Sequence, residues 1–167
     1  MSSDFYEFWS AMSSAVENDR ENLPVRIREA IQPDMPFVYS SWLRQHSYSA
    51  FASGIPKATF FSNHRKIISK LVEKSDVYIA CDPADMGIMY GFICGEQHEW
   101  PLLHYAFVKG RFRRYGIFKM LLGELGWTPD KEVVMSHFFC SKPIYIEGKQ
   151  MMYNPYILHN IQIEVSQ

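Results

Sequence analysis

Residues 106–122, "AFVKGRFRRYGIFKMLL", decide how this chain is read. Ala106–Val108 ends a short apolar strand. The loop after it holds four basic residues in six positions: Lys109, Arg111, Arg113 and Arg114. Gly116 follows, and then an apolar run that predicts a helix over about 115–125, with Leu121 and Leu122 turned to the core. A helix N-terminus exposes backbone N–H groups and the positive end of the helix dipole, so it attracts anions. A glycine there lets a ligand approach the backbone, and clustered basic side chains suit a di- or polyphosphate. A solvated basic turn is the plain alternative. Neither GxxxxGK[ST] nor GxGxxG occurs, so the common nucleotide loops do not explain the charge.

The rest of the chain makes that local charge conspicuous. Its 167 residues suit one domain with a full core, and 47% apolar with 16% aromatic content marks a globular chain. The formal net charge is -1, which argues against a general nucleic-acid binder. Cys81, Cys94 and Cys140 are widely spaced, with no CxxC or Cys/His zinc pattern. They read as reduced core thiols of a cytoplasmic protein. "MSSDFYEFWS" lacks the basic start and apolar run of a secretory leader. The longest apolar stretch, "MGIMYGFICG", is about half the length a membrane-spanning helix needs, so no membrane association is expected.

Periodicity gives the element order. Phe5, Phe8, Trp9, Met12, Ala15 and Val16 share one stripe of an amphipathic helix over 4–18. This N-terminal unit, residues 1–22, would dock on its own domain or on a partner chain; residues 23–167 form the domain itself. "PVRIREAI" (24–31) alternates as a strand. Asp34 stands as the N-cap of a helix over 35–46, buried through Phe37, Val38, Trp42 and Leu43. Residues 47–61 read as a loop. Ser62 or Asn63 would cap a second helix over 62–74, with Ile67, Ile68, Leu71 and Val72 inward. Val77–Cys81 and Ile88–Cys94 form a hairpin about "DPAD", and "LLHYAFV" leads into the basic loop. "EVVMSHFF" (132–139) is a strand, "KPIYIEGKQMMYNPYIL" a second hairpin with an E-G turn, and "HNIQIEV" a last strand. The fold class is therefore α+β: a mixed, mostly antiparallel sheet flanked by helices. Its one β-α-β unit encloses the basic loop and should pair its two strands in parallel.

The loop in this setting resembles motif A of the GNAT superfamily of acyl-CoA-dependent N-acyltransferases. Arg113 takes the Q/R place of the Q/R-x-x-G-x-G/A pattern, Gly116 the central glycine, and Leu121–Leu122 the helix anchor. Phe118 stands where the family has Gly or Ala, a departure that would narrow the pocket unless Lys119 and the arginines compensate. "IREAIQPDMPFVYSSWL" is similar to the family's opening strand and first helix, and the order of elements agrees from about 24 to 165. No fourth helix is evident between "VVMSHFF" and "YNPYIL", a second departure. The resemblance implies acetyl-CoA as co-substrate. Its pyrophosphate would rest on the backbone of Arg113, Arg114, Tyr115, Gly116, Ile117 and Phe118. Its pantetheine arm would pair with Phe107 and Val108, and its thioester would sit where that strand splays from "VVMSHFF".

Acyl transfer to an amine requires a base for an ammonium with a pKa near about 10.4, donors for the developing oxyanion, and an acid for the leaving thiolate. His104 is the first choice for the base, placed by strand alternation on the face of Ala106 and Val108. Glu96 and Glu99 are rivals, and His137 lies on the neighbouring strand. A core histidine satisfied by a carbonyl is the alternative for both rings. The resemblance implies a late tyrosine as acid, here Tyr153 or Tyr156. A metal held by His98, His104 and Glu96 or Glu99 lacks any recognised spacing, so no metal is expected.

The expected activity is transfer of an acetyl or similar group to a small-molecule or protein amine. Residues 44–61 and the "EQHEWP" turn would select an apolar or aromatic acceptor. Two rivals remain: a catalytically silent binding or assembly module, and a nucleic-acid base modifier. The second follows because the chain resembles compact GNAT-like proteins of bacteriophages; its near-neutral charge disfavours it.

Overall fold

The computed structural model describes residues 23–137 and 143–157. The expected N-terminal helix (4–18), the closing strand (159–165) and Cys140 lie outside those residues.

Strand β1 (Arg26–Glu29) is followed by a tight turn and helix α1 (Met35–His46). Val38, Trp42, Leu43 and His46 form its buried stripe, and Pro36 opens it where a missing N–H costs nothing. Asp34 stands at the N-cap of α1, as expected, but its side chain makes no capping bond to that helix. Its carboxylate accepts the Ile31 N–H at 2.8 Å and both Arg28 terminal nitrogens, at 2.6 and 3.0 Å. A buried carboxylate is better satisfied by a bidentate cation than by one backbone donor.

Helix α2 (Lys57–Lys74) begins five residues before the expected start at 62. Pro56 presets the entry, so Ser62 and Asn63 fall inside the helix, where Asn63 Nδ2 donates to the Thr59 carbonyl. The longer helix also turns: Phe60, His64, Ile68 and Leu71 face inward, and Ile67 is 41% exposed.

Strands β2 (Asp76–Cys81) and β3 (Met89–Glu96) pair as the expected hairpin. Asp82 secures its turn by accepting the Ala84 N–H at 2.7 Å. Strand β4 (Leu102–Val108) pairs antiparallel with β3. Helix α3 (Ile117–Glu124) then crosses to β5 (Val134–Met135), which runs parallel to β4. The segment after β5 holds a two-stranded hairpin, β6 (Tyr145–Ile146) and β7 (Lys149–Gln150), turning at Glu147-Gly148 with positive φ at both. Strand β8 (Met152–Tyr153) was expected inside that hairpin; it joins the main sheet instead, parallel to β5.

The main sheet thus has six strands in the order β1-β2-β3-β4-β5-β8. One apolar cluster, with Val38, Trp42, Ile68, Ile79, Phe92 and Tyr105, fills the space under α1 and α2. A second, with Tyr90, Ile93, Leu103, Leu121, Leu125 and Met135, lies under α3. Because both faces are covered, β3 is buried almost throughout.

One irregularity decides where a key side chain goes. Cys94 pairs with Tyr105 and Gly95 with Leu103, so His104 is the additional residue of a β-bulge. Leu103 and Ala106 both pack under α3, while Tyr105 and Phe107 pack toward α1 and α2. Simple alternation therefore fails at His104. Register therefore does not assign it to the face of Ala106 and Val108 that the sequence suggested.

Candidate active site

Among the described residues, β4 and β5 pair at Leu102–Val134 and Leu103–Met135. Strand β4 extends past these pairs to Val108. A cavity of about 530 Å³ opens along this stretch, between Tyr105–Val108, the basic loop and the start of α3. Of the loop's cations, only Arg113 and Arg114 line it, joined by Lys119 from α3. Lys109 lies 5.0 Å from the Phe37 ring centre, and Arg111 lies 4.6 Å from that of Phe112. Two of the four loop charges thus serve packing.

The loop backbone is sharply shaped. Arg114 has φ 73° and Gly116 φ 74°, the left-handed region in which a side chain such as that of Arg114 is strained. Nothing lies within 4 Å of where a Cβ on Gly116 would stand, so the approach to the backbone is open. The first-turn N–H groups of α3 have no intrahelical acceptors. The Arg113 N–H is already given to the Gly110 carbonyl at 3.3 Å, so the backbone donors expected from Arg113 onward begin one residue later. Arg113 Nε donates to the Val108 carbonyl at 3.0 Å, which pins the loop to the strand and engages a group expected to meet the pantetheine arm. Phe118 is half-buried; it packs against the cluster under α3 and still lines the cavity, which persists beside it. Lys119 also pairs with Glu147 of the β6–β7 turn.

The polar residues form a separate thread. His104 is fully buried and does not line the cavity. Its Nε2 lies 3.0 Å from Glu96 Oε1, and its Nδ1 lies 2.7 Å from Ser136 Oγ. Ser136 Oγ is also 2.9 Å from His137 Nδ1, and Glu96 Oε2 is 3.0 Å from His98 Nε2. Glu99 is exposed outside this network. Burial pushes His104 below its ordinary value, against the opposing hydrogen bond and charge of Glu96. Burial, with repulsion from His46, His64 and His104, pushes His137 down to about 3. His137 sits edge-on to Trp42, His46 and His64, at 5.9, 5.9 and 6.0 Å between ring centres.

His104, Glu96 and His137 are therefore brought into one thread, and the residue that joins the two rings, Ser136, was not singled out from sequence. A lone hydroxyl inside the apolar run "VVMSHFF", directly before a histidine, was the available signal. Tyr153 and Tyr156 are 46% and 72% exposed, and neither lines the cavity. Among the described residues no group of three or more His, Cys, Asp or Glu side chains is placed to hold a metal ion, and no helix is long and apolar enough to cross a membrane.

No family model and no curated protein matches the sequence. Solved structures do match the fold. A candidate acetyl transferase from Pyrococcus furiosus superposes with a TM-score of 0.51 at 14% identity, over 83% of this chain and 91% of that one. A possible acetyltransferase from Clostridium difficile 630 gives 0.46 at 13% identity, over 74% and 96%. An acetyltransferase of the GNAT family from Staphylococcus aureus Mu50 gives 0.42 at 15%, over 60% and 62%. With the mixed sheet and flanking helices above, the first of these shows that the chain shares the α+β fold of that acetyl transferase structure. At such identities the likeness concerns the fold alone.

Proposed function

We propose that this chain is an acyl-CoA-dependent N-acyltransferase, moving an acetyl or similar group from a thioester to an amine. The observation that carries the reading is the cavity along Tyr105–Val108 of β4, lined also by Arg113, Arg114, Lys119 and the start of α3. A diphosphate suits that lining, which offers two guanidinium groups, an ammonium and the first-turn N–H groups of α3. The apolar walls from Ala106, Ile117 and Ile144 suit an extended arm.

In this reading Arg113, Arg114 and Lys119 hold the phosphates, and β4 aligns the arm so that the acyl group reaches the point where the strands part. Acetyl-CoA supplies the activated acyl group. The chain's own work is to orient both reactants, keep water out, and take a proton from the acceptor amine through the His104–Glu96 pair. Tyr153 remains the proposed acid, delivered by β8 beside β5.

Calorimetric titration with acetyl-CoA tests this. Saturable binding is expected, and Arg113→Ala and Gly116→Glu should each abolish it. No binding by the unaltered protein would remove the enzyme reading and leave a silent binding module on the same fold.

A further inference from the structure

The hydrogen atoms along His104, Ser136 and His137 have one consistent arrangement. Glu96, as a carboxylate, only accepts, so the His104 nitrogen facing it, Nε2, carries the ring hydrogen. A neutral imidazole has one ring hydrogen, which leaves His104 Nδ1 as an acceptor. Ser136 must then donate its single hydrogen to Nδ1, 2.7 Å away. With that hydrogen used, Ser136 Oγ accepts from His137 Nδ1 at 2.9 Å. His137 is thereby fixed in the Nδ1–H form, with the lone pair on Nε2.

We propose that Ser136 is the positioning link of an internal proton relay, which takes up a proton at His137 Nε2 and delivers one to Glu96 at the surface. Each bond formed is matched by one broken. His137 gains a proton at Nε2 and gives the one on Nδ1 to Ser136 Oγ. Ser136 gives its own to His104 Nδ1, and His104 passes the Nε2 proton to Glu96 Oε1. The excess proton ends on Glu96, whose other oxygen meets the exposed His98. A proton returned along the same bonds restores every group.

Three observations support the relay. His104 is 0% and Ser136 3% exposed, so the middle of the path is closed to water. Ser136 donates its N–H to the Leu103 carbonyl at 3.0 Å, which places it at the vertex where β4 and β5 part, beside the proposed site of acyl transfer. Burial also holds both rings below their ordinary values, so neither stores the charge it passes. The hydrogen arrangement stands on its own; its use as an exit for the amine proton rests on the acyltransferase reading.

Nitrogen-15 NMR of the imidazole rings at neutral pH tests the arrangement without any substrate. The unaltered protein should show His104 as Nε2–H and His137 as Nδ1–H. Ser136→Ala should release His137 to the Nε2–H form that free imidazole prefers, and Ser136→Thr, which keeps a hydroxyl, should restore Nδ1–H. An Nε2–H His137 in the unaltered protein overturns the relay, and that measurement decides even where Ser136→Ala does not fold. A His137 signal indifferent to Ser136→Ala overturns it too. With an acceptor amine in hand, Ser136→Ala should lower kcat/KM about 10²-fold with acetyl-CoA affinity unchanged. Failure of the unaltered protein to bind acetyl-CoA removes the relay's proposed use and leaves the tautomers as assigned, so the two ideas fail separately.

Discussion

Gly91 of β3 lies so close to β4 that a Cβ on it would stand 2.3 Å from the carbonyl oxygen of Phe107 and 3.0 Å from the Cα of Val108. Both contacts are backbone, which cannot rotate away. This glycine therefore lets β4 run against β3 along the stretch that walls the cavity. Gly91→Ala should cost more than about 2 kcal/mol, the range of core overpacking. Chemical denaturation reads this directly, and a change within about 0.5 kcal/mol would show that β4 gives way without cost.

Arg114 presents the opposite case, a strained residue in the loop proposed to bind the cofactor. Its φ of 73° suits glycine, and a non-glycine residue there carries about 1–2 kcal/mol of steric cost. Arg114→Gly should keep or raise stability while weakening acetyl-CoA binding through loss of the guanidinium. Arg114→Ala should weaken binding equally with no gain in stability. Thermal unfolding and calorimetry on the pair separate strain from charge. Equal stability of the two variants would mean that the loop relaxes.

The division between what was legible in the chain and what was not follows from the range of each interaction. The β4–loop–α3 unit was readable because alternation, a glycine at positive φ and an apolar helix stripe are local. The site thread was only half readable. Alternation could not anticipate the bulge at His104, since that is decided by how β3 and β4 pair across the sheet. Ser136 carries no charge and sits in an apolar strand, so its role depends on two histidines brought to it by the fold. The start of α2 was hidden because Pro56 acts through its fixed φ, whereas Ser62 and Asn63 are the residues with side chains suited to a cap. β8 was hidden because its partner, β5, is remote and parallel.

The buried histidines predict acid lability. His64 is pushed down to about 4, by burial first and by His46 second, and His137 to about 3. The unfolded chain binds protons at these rings below about pH 6.5, while the folded protein does not until far lower. Their contribution is present above that pH and is lost as pH falls toward 4. Stability should drop by about 1.4 kcal/mol per pH unit for each ring. His64 also buries an Nε2 with no hydrogen-bond partner and stacks on Phe60 at 4.9 Å between ring centres. His64→Phe should flatten the pH dependence between 6.5 and 4. A variant whose stability falls as steeply as that of the unaltered protein would clear His64 of this role.

The Arg28–Asp34 pair should behave as a coupled unit. The two side chains are only 15% and 6% exposed, and Arg28 Nε already has no partner, so Arg28 depends on Asp34 for its neutralisation. Removing the carboxylate leaves a guanidinium in a largely dry setting and frees the Ile31 N–H as well. Asp34→Ala should therefore cost about 3 kcal/mol, the range for breaking a buried pair from one side. Arg28→Met should cost at least as much, because it strands the more buried charge of the two, with the Ile31 N–H as its remaining donor. The double variant should be less damaged than the sum of the singles, since it leaves no uncompensated charge. Denaturant midpoints for the four proteins complete the cycle. Strict additivity would mean that Asp34 acts only as the acceptor for the Ile31 N–H and that its contact with Arg28 is energetically idle.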